Sequence, residues 1–492
     1  MPGRLTGGIV LYLVLPVLLF LALWCRPLVG LPALALLGFG LWRGLRPLSW
    51  GAGNQEAPWR GHLVPALLAV AWCSLGGAGH FFYANKVDWF VRDAVFRDLV
   101  TTPWPIGYRV DDALFLLRAP LGYYLPPALV GKLLPLRFAD LLLWAWTALG
   151  VHLLLRLATH AIRSQWKKLA FGLVLVLFSG MDVLGWALVM GEWPRFTQHL
   201  EWWGMFFQYS SHTTQLFWVP NHSIPAWLAM GLLWQYRKTE AIAALLPALL
   251  LALAFWAPFA AIGLIPFLVA FALHRFPDPG RLRTLAWQVG AALPAVLILG
   301  TYLSAQAASA GGAFKPSFLG HLPWGAPLFP VLLLAFHALE WLLLLLILQV
   351  RARDPWLWIA GGILAALPLF WFGPGNDFVM RGSIPSLFML AASAGAFLLQ
   401  SDAGNRFWRG AVLVLLLIGC ATPFEEIARS LDKPRWSPSL TQSLQDRGLG
   451  KIPPHYGAPA SGGPLPRLLR APHIVPRGPY EPPAQLPPVS TL

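Results

Sequence analysis

The amino-acid sequence predicts an all-α fold, a polytopic helical membrane protein with about thirteen transmembrane helices. Three observations carry that prediction. Of 492 residues, 57% are hydrophobic and only 12% are charged, and the apolar residues fall in runs of the length a helix needs to cross a bilayer. Lys and Arg, in excess by a net charge of +15, gather in short segments between those runs. The 26 tryptophans suit a chain with two membrane interfaces, where indole rings settle.

The apolar runs lie near residues 7–25, 28–42, 62–79, 139–157, 168–190, 223–236, 240–256, 258–274, 285–305, 326–349, 356–372, 383–400 and 410–422. Basic clusters fall at Arg43/Arg46/Arg60, Arg163/Lys167/Lys168, Arg237/Lys238, Arg275/Arg281/Arg283, Arg351/Arg353 and Arg406/Arg409. With all of these facing the cytoplasm, thirteen spans alternate without violation, N-terminus inside and C-terminus outside. The basic excess is then an orientation signal, and no nucleic-acid partner is expected.

The first two runs make an N-terminal hairpin followed by a basic cytoplasmic loop (1–61). MPGR before an apolar stretch resembles a signal sequence, but no small-residue cleavage site follows, so an uncleaved first span is expected. Trp24 before Cys25 argues against lipoprotein processing. Cys25, Cys73 and Cys420 all fall in apolar runs and make neither a metal spacing nor a disulfide framework.

The core (62–422) opens on a large outer loop, 80–138. Residues 87–100 are expected to form a short amphipathic helix. Residues 113–135 are apolar enough for a further span, but they contain Arg118 and Lys132 and are interrupted by Pro120, Pro126 and Pro127. Counting them would also move Arg163, Lys167 and Lys168 outside, so an interfacial or re-entrant helix is expected. A second outer loop covers 191–222. From 423 to 492 the chain is a Pro-rich extracytoplasmic tail, with fourteen prolines from Pro434 to Pro488, expected to be extended with little packed core.

Charge concentrates between His80 and Asp112, where Lys86, Arg92, Arg97 and Arg109 interleave with Asp88, Asp93, Asp98, Asp111 and Asp112. A helical register puts Arg92 one turn from Asp88 on the same face, either as a site or as an ordinary solvated ion pair. Asp111 and Asp112 form the competing carboxylate pair, in which like charge raises one pKa. Ahead of an apolar stretch they suit helix N-terminal caps better. Asp377 and Arg381, in GNDFVMRGS, repeat the four-residue spacing at the end of another run, where a helix-anchoring pair is the plainer alternative.

Three stretches, NKVDWFVRDAVFRDL, QYSSHTTQLFWVPNHSIP and GNDFVMRGSIP, set among these spans and this first outer loop, resemble the GT-C class of integral-membrane glycosyltransferases, in its bacterial multi-pass members. The likeness covers most of 62–422 as architecture. The chain departs from the simplest pattern in having two spans before the one that enters the loop, and in lacking an adjacent Asp-Asp or Asp-Glu pair at the first acidic site. The resemblance implies transfer of a sugar from a polyprenyl-phosphate donor, a membrane lipid, to a glycan, lipid or protein acceptor outside a bacterial cytoplasmic (inner) membrane. Asp88 would be the general base toward the acceptor hydroxyl. Arg92, Arg381, Lys86 and Arg97 would hold the donor phosphate, to which guanidinium forks are suited. The class admits a divalent cation, but His199, Glu201, His212 and His222 show no tight metal spacing.

The second outer loop supplies Tyr209, His212, Gln215, Asn221 and His222 beside Trp193, Trp202, Trp203 and Trp218. Hydroxyls and amides next to indole faces suit a sugar, and an interfacial aromatic belt is the alternative. With Asp111, Asp112, Asp182 and Asp377, these are the expected substrate contacts. Asp182, between Gly180 and Gly185, falls inside an apolar run and is expected to line an outward cavity. Glu340 shares a helical face with His337 and is expected to contact it. An unpaired charge there costs roughly 2.5–3.5 kcal/mol, so both acids need partners. They also motivate a rival reading, a transporter or flippase for a lipid-linked or small polar solute, which the lack of paired broken-helix halves weakens. A surface-polysaccharide polymerase or ligase is the third.

Overall fold

A computed structural model describes the chain except for residues 1–2, 51–58, 84–85, 205–206, 276–278, 306–314, 317–328, 374, 401–402, 436–441, 449, 454 and 477–492. The protein is mostly helical, and helices run through each of the thirteen apolar segments. Seven are long and apolar enough to cross a membrane: Gly3–Leu23, Pro27–Leu48, Phe138–Thr159, Leu282–Ser304, Phe329–Ala352, Asp377–Leu398 and Arg406–Asp432. Shorter apolar helices cover Gly61–Ser74, Ala243–Trp256, Pro258–Leu273 and Pro355–Leu369. A helix satisfies its own backbone polar groups, which a hydrocarbon surround demands. The outward faces agree with such a surround, since Leu67, Leu297, Leu346 and Leu417 lie exposed along these helices.

Two of the apolar segments depart from regular helix where they face each other. The run at 168–190 breaks into α7 (Gln165–Val176) and α8 (Asp182–Met190). The helix Phe329–Ala352 contains a π turn, Ala338–Leu342, facing that break.

The all-α expectation is corrected by a small sheet of order β5-β2-β1-β6. Strands β1 (Ile106–Val110) and β2 (Ala113–Leu117) form an antiparallel hairpin in which Val110 pairs with Ala113. Asp111 and Asp112 are its two-residue turn, with Asp111 at φ 50°, as such a turn requires. They are exposed and cap no helix. The expected interfacial helix over 113–135 shrinks to α5 (Leu125–Gly131), because Pro120 before it and Pro126 and Pro127 in its first turn oppose extension toward the N-terminus, and residues 113–117 find strand partners instead.

Those partners come from the tail, which is packed and not simply extended. Strand β5 (Gly457–Pro459) pairs with β2, and β6 (His473–Ile474) runs parallel to β1. Leu444, Leu465, Leu469 and Val475 are buried. Closely spaced prolines disfavour a regular helix but tolerate short edge strands, which is the role Gly457–Pro459 takes in the tail.

Contacts between inter-helix segments fall at two ends of the bundle. At the loop-rich end Arg26 Nε donates to Leu469 O, Tyr83 N to Ser430 O and Thr197 N to Glu425 Oε2. At the opposite end Arg156 donates to Gly61 O, the side chains of Gln235 and His160 meet, and Arg237 pairs with Asp354.

Candidate functional site

The site is built on α4 (Lys86–Thr101), which lies across the loop-rich end. Trp89, Val95 and Leu99 bury its apolar face. The Trp89 ring occupies the space beside Gly77, where any Cβ would overlap it, and its Nε1 donates to Phe217 O at 2.7 Å. This anchor fixes the next face of the helix. Arg92 Nη2 lies 3.3 Å from Asp88 Oδ1, and Nη1 donates to Asn221 Oδ1 at 2.5 Å. Asn221 and His222 sit in the first turn of α10 (Pro220–Tyr236), which Pro220 opens without losing a hydrogen bond. The Arg92 side chain is only 6% exposed, whereas that of Asp88 is 25% exposed.

A second pair comes from the helix Asp377–Gly382, where Arg381 Nη2 meets Asp377 Oδ1 at 2.9 Å. Buried Asn376 precedes it at φ 52°, and its side chain accepts the Phe372 N–H at 3.2 Å, holding the turn that aims this helix.

The two pairs share one space. Tyr456, brought in by the tail, lies within electrostatic reach of Arg92, Arg381, Asp88 and Asp377 together, and burial raises its phenol pKa. His222 faces both arginines. Tyr124 bonds the Arg92 guanidinium, and its neighbour Tyr123 bonds Thr147 at 2.6 Å. Burial works against the charge on Arg92, but Tyr124 and Asp88 outweigh it and hold the group more firmly protonated than usual. Arg92 Nε and His222 Nδ1 are buried without a hydrogen-bond partner among the described residues. Buried polar atoms of that kind call for a ligand or water. The arrangement thus offers two fixed cations, a part-exposed carboxylate and unfilled polar positions.

Asp88, Arg92, Asn221, His222, Asp377 and Arg381 of the sequence-derived set therefore come together. Others do not. The Lys86 side chain lies outside the described residues. Arg97 Nη1 pairs with its chain neighbour Asp98 at 2.8 Å. Asp98 is buried, which pushes its carboxyl up to about 6, partly countered by the Leu444 N–H and by Arg97. Asp111 and Asp112 are at the hairpin tip. Tyr209 donates to Leu364 O, His212 Nδ1 bonds Leu175 O, and Gln215 bridges Ser210 O and Trp227, so all three serve the core. Asp182 is buried in a polar cluster with Ser179, Trp203 and Thr422. Glu340 does not pair with His337, whose Nδ1 accepts instead from Trp341 at 3.0 Å.

One group was not visible in the sequence. His80 Nδ1 lies 2.8 Å from Asp140 Oδ2, and its Nε2 lies 3.0 Å from Asp93 Oδ2. The three residues are close enough to hold a metal ion. Each ring nitrogen already faces a carboxylate, however, so the ring is better described as an imidazolium than as a ligand with a free lone pair. Burial alone would lower the His80 pKa, but the hydrogen bonds to Asp140 and Asp93 raise it to about 10. The group ties α4 to α6 (Leu136–Thr159) and so positions Asp88 and Arg92.

No family model, curated protein or solved structure matches this chain.

Proposed function

We propose that the protein is a membrane glycosyltransferase, moving a sugar from a polyprenyl-phosphate donor to a glycan, lipid or protein hydroxyl on the outer face of a bacterial inner membrane. The observation that carries this reading is the convergence of Asp88–Arg92, Asn221–His222 and Asp377–Arg381 at one end of an apolar bundle. In this reading the donor phosphate lies between Arg92 and Arg381. Their charge stabilises the phosphate as its bond to the anomeric carbon breaks and the electron pair leaves on oxygen. Arg92 is already held by Asn221, so it needs little reorganisation. The acceptor oxygen attacks that carbon, and Asp88 takes its proton through Oδ2, which carries no hydrogen bond among the described residues.

The reading includes thirteen crossings, with the N-terminus cytoplasmic and the tail outside. It is supported by the segment contacts at each end of the bundle, which join only segments that this topology puts on one side. The loop-rich end is then the outer one, where a lipid-linked donor presents its head group.

The test supplies purified protein in lipid with labelled sugar on polyprenyl phosphate and a panel of acceptors. Transfer that Asp88→Asn removes is the expected result, and full transfer by that variant removes Asp88 as the base. A flippase is the second reading, favoured by the helix break and π turn at Asp182 and Glu340. It predicts protein-dependent movement of the intact lipid-linked sugar across vesicles, without transfer.

A further inference from the structure

Glu340 lies near the middle of the 24-residue apolar helix Phe329–Ala352, inside the π turn, opposite the break between α7 and α8. Such turns recur where a helix carries function, and an ionisable group at that depth needs a reason to be there. Its carboxyl and that of Asp182 share one indole donor, with Trp203 Nε1 3.1 Å from Asp182 Oδ1 and 3.1 Å from Glu340 Oε1. Two buried carboxyls that share one donor cannot both carry charge cheaply, which calls for a proton on one of them. Asp182 accepts two further donors on Oδ2, from Ser179 Oγ at 2.9 Å and from Thr422 Oγ1 at 2.7 Å. Glu340 has only the shared indole on Oε1, and its Oε2 is buried against Gly180 without a partner among the described residues. Asp182 thus faces three donors and Glu340 one, and this hydrogen-bonding pattern places the proton on Glu340.

Other ionisable groups surround Glu340. Glu201, from the 3₁₀ turn Leu200–Gly204, is a third buried acid whose carboxyl burial pushes up to about 7, which suits it to pass a proton. Tyr209 faces Glu340 from the chain after that turn, and His337 on the same helix is turned to Trp341. From Glu201 a line of ionisable groups leads to the loop-rich end. His199 Nε2 stands 3.9 Å from Glu201 Oε2 and has no hydrogen bond among the described residues. His199 Nδ1 meets Glu426 at 2.7 Å, and Glu426 pairs with Arg429 at 2.9 Å. Glu426 and Arg429 line a small cavity with Tyr83, Trp218 and Ser430.

We propose that Asp182 and Glu340 form a proton-binding site in the middle of the bundle, loaded from the loop-rich end through His199 and Glu201. It is separate from the arginine–aspartate site and does not depend on the transferase reading. The step is a proton transfer alone: the Glu340 O–H breaks, the proton passes to Glu201 and outward, and two facing anions remain. Their repulsion across a single indole N–H drives α8 away from the π turn, linking helix packing to proton occupancy.

Infrared spectroscopy of the full chain in lipid nanodiscs, in H2O and D2O, tests this. A protonated-carboxyl C=O stretch is expected at neutral pH, shifted by D2O, lost in Glu340→Gln and kept in Asp88→Asn. Should Glu340→Gln fail to fold, Trp203→Phe removes the shared donor and must move the band. Deuterium exchange into the band slows in His199→Phe. Absence of the band from folded wild-type protein, its survival in Glu340→Gln, or an unmoved band in Trp203→Phe overturns the site. Unchanged exchange in His199→Phe overturns the route. A sodium-dependent rise in melting temperature that vanishes in Glu340→Gln makes the pair a sodium site and overturns the proton reading.

Discussion

At the loop-rich end Asp88 and Asp377 each face an arginine one helical turn away and keep part of their surface in solvent. Midway along the bundle Asp182 and Glu340 face each other, with one indole N–H between them. The first arrangement is easily opened. A phosphate can replace each part-exposed aspartate as the arginine's counter-charge, so the buried Arg92 stays paired throughout. The second cannot open without moving a proton, because two buried anions so close together are far costlier than one. Similar side chains therefore suit a ligand site in one place and a proton site in the other, and burial decides which.

The comparison breaks most visibly at Asp88. Asp88→Asn is expected to lower the initial rate of sugar transfer by about 10²–10⁴-fold. Its melting temperature falls as well, since the buried Arg92 loses a counter-charge, but Asn221 still holds the guanidinium and the protein folds. Leu469→Ala comes next. This buried leucine seats the tail on the turn between the first two helices, beside Cys25 and Arg26, and its truncation costs about 2–5 kcal/mol. Faster proteolytic cleavage within 442–476 and a lower melting temperature report it.

Gly180→Ala sharpens the other half of the comparison. A Cβ there would stand 2.8 Å from the Glu340 Cα and would overlap its carboxylate. Overpacking of this kind costs about 1–3 kcal/mol, read as a lower melting temperature with transfer retained.

The smallest effect is a pH dependence at His80. Its folded-state pKa is raised from 6.5 to about 10, so its contribution to stability is complete below about pH 6.5 and is lost as pH rises toward 10. Wild-type melting temperature should fall across that interval, and the fall should be shallower in His80→Gln. An equal fall in both removes the imidazolium tie between α4 and α6.

Much of the bundle was legible in the sequence because bilayer-length apolar runs leave a helix few alternatives. The twin Asp-x-x-x-Arg spacing was legible for the same local reason, since i and i+4 meet on any helix. Long-range pairing was not. Residues 113–117 take their second strand partner from Gly457–Pro459, more than three hundred residues later. Tyr456 reaches the site by the same route. Asp140 sits among apolar neighbours, and nothing local indicates that His80 will meet it. Glu340 was visible as an anomaly, but its partner depended on a helix break and a π turn that hydrophobic periodicity does not register.

The most direct test of the central claim compares initial rates of labelled-sugar transfer by wild type, Asp88→Asn and Glu340→Gln in the same lipid. The account predicts that Asp88→Asn is inactive while Glu340→Gln, which keeps the shape of a neutral acid, still transfers. Transfer retained by Asp88→Asn and lost by Glu340→Gln would contradict it, placing the chemistry in the middle of the bundle and not at its mouth.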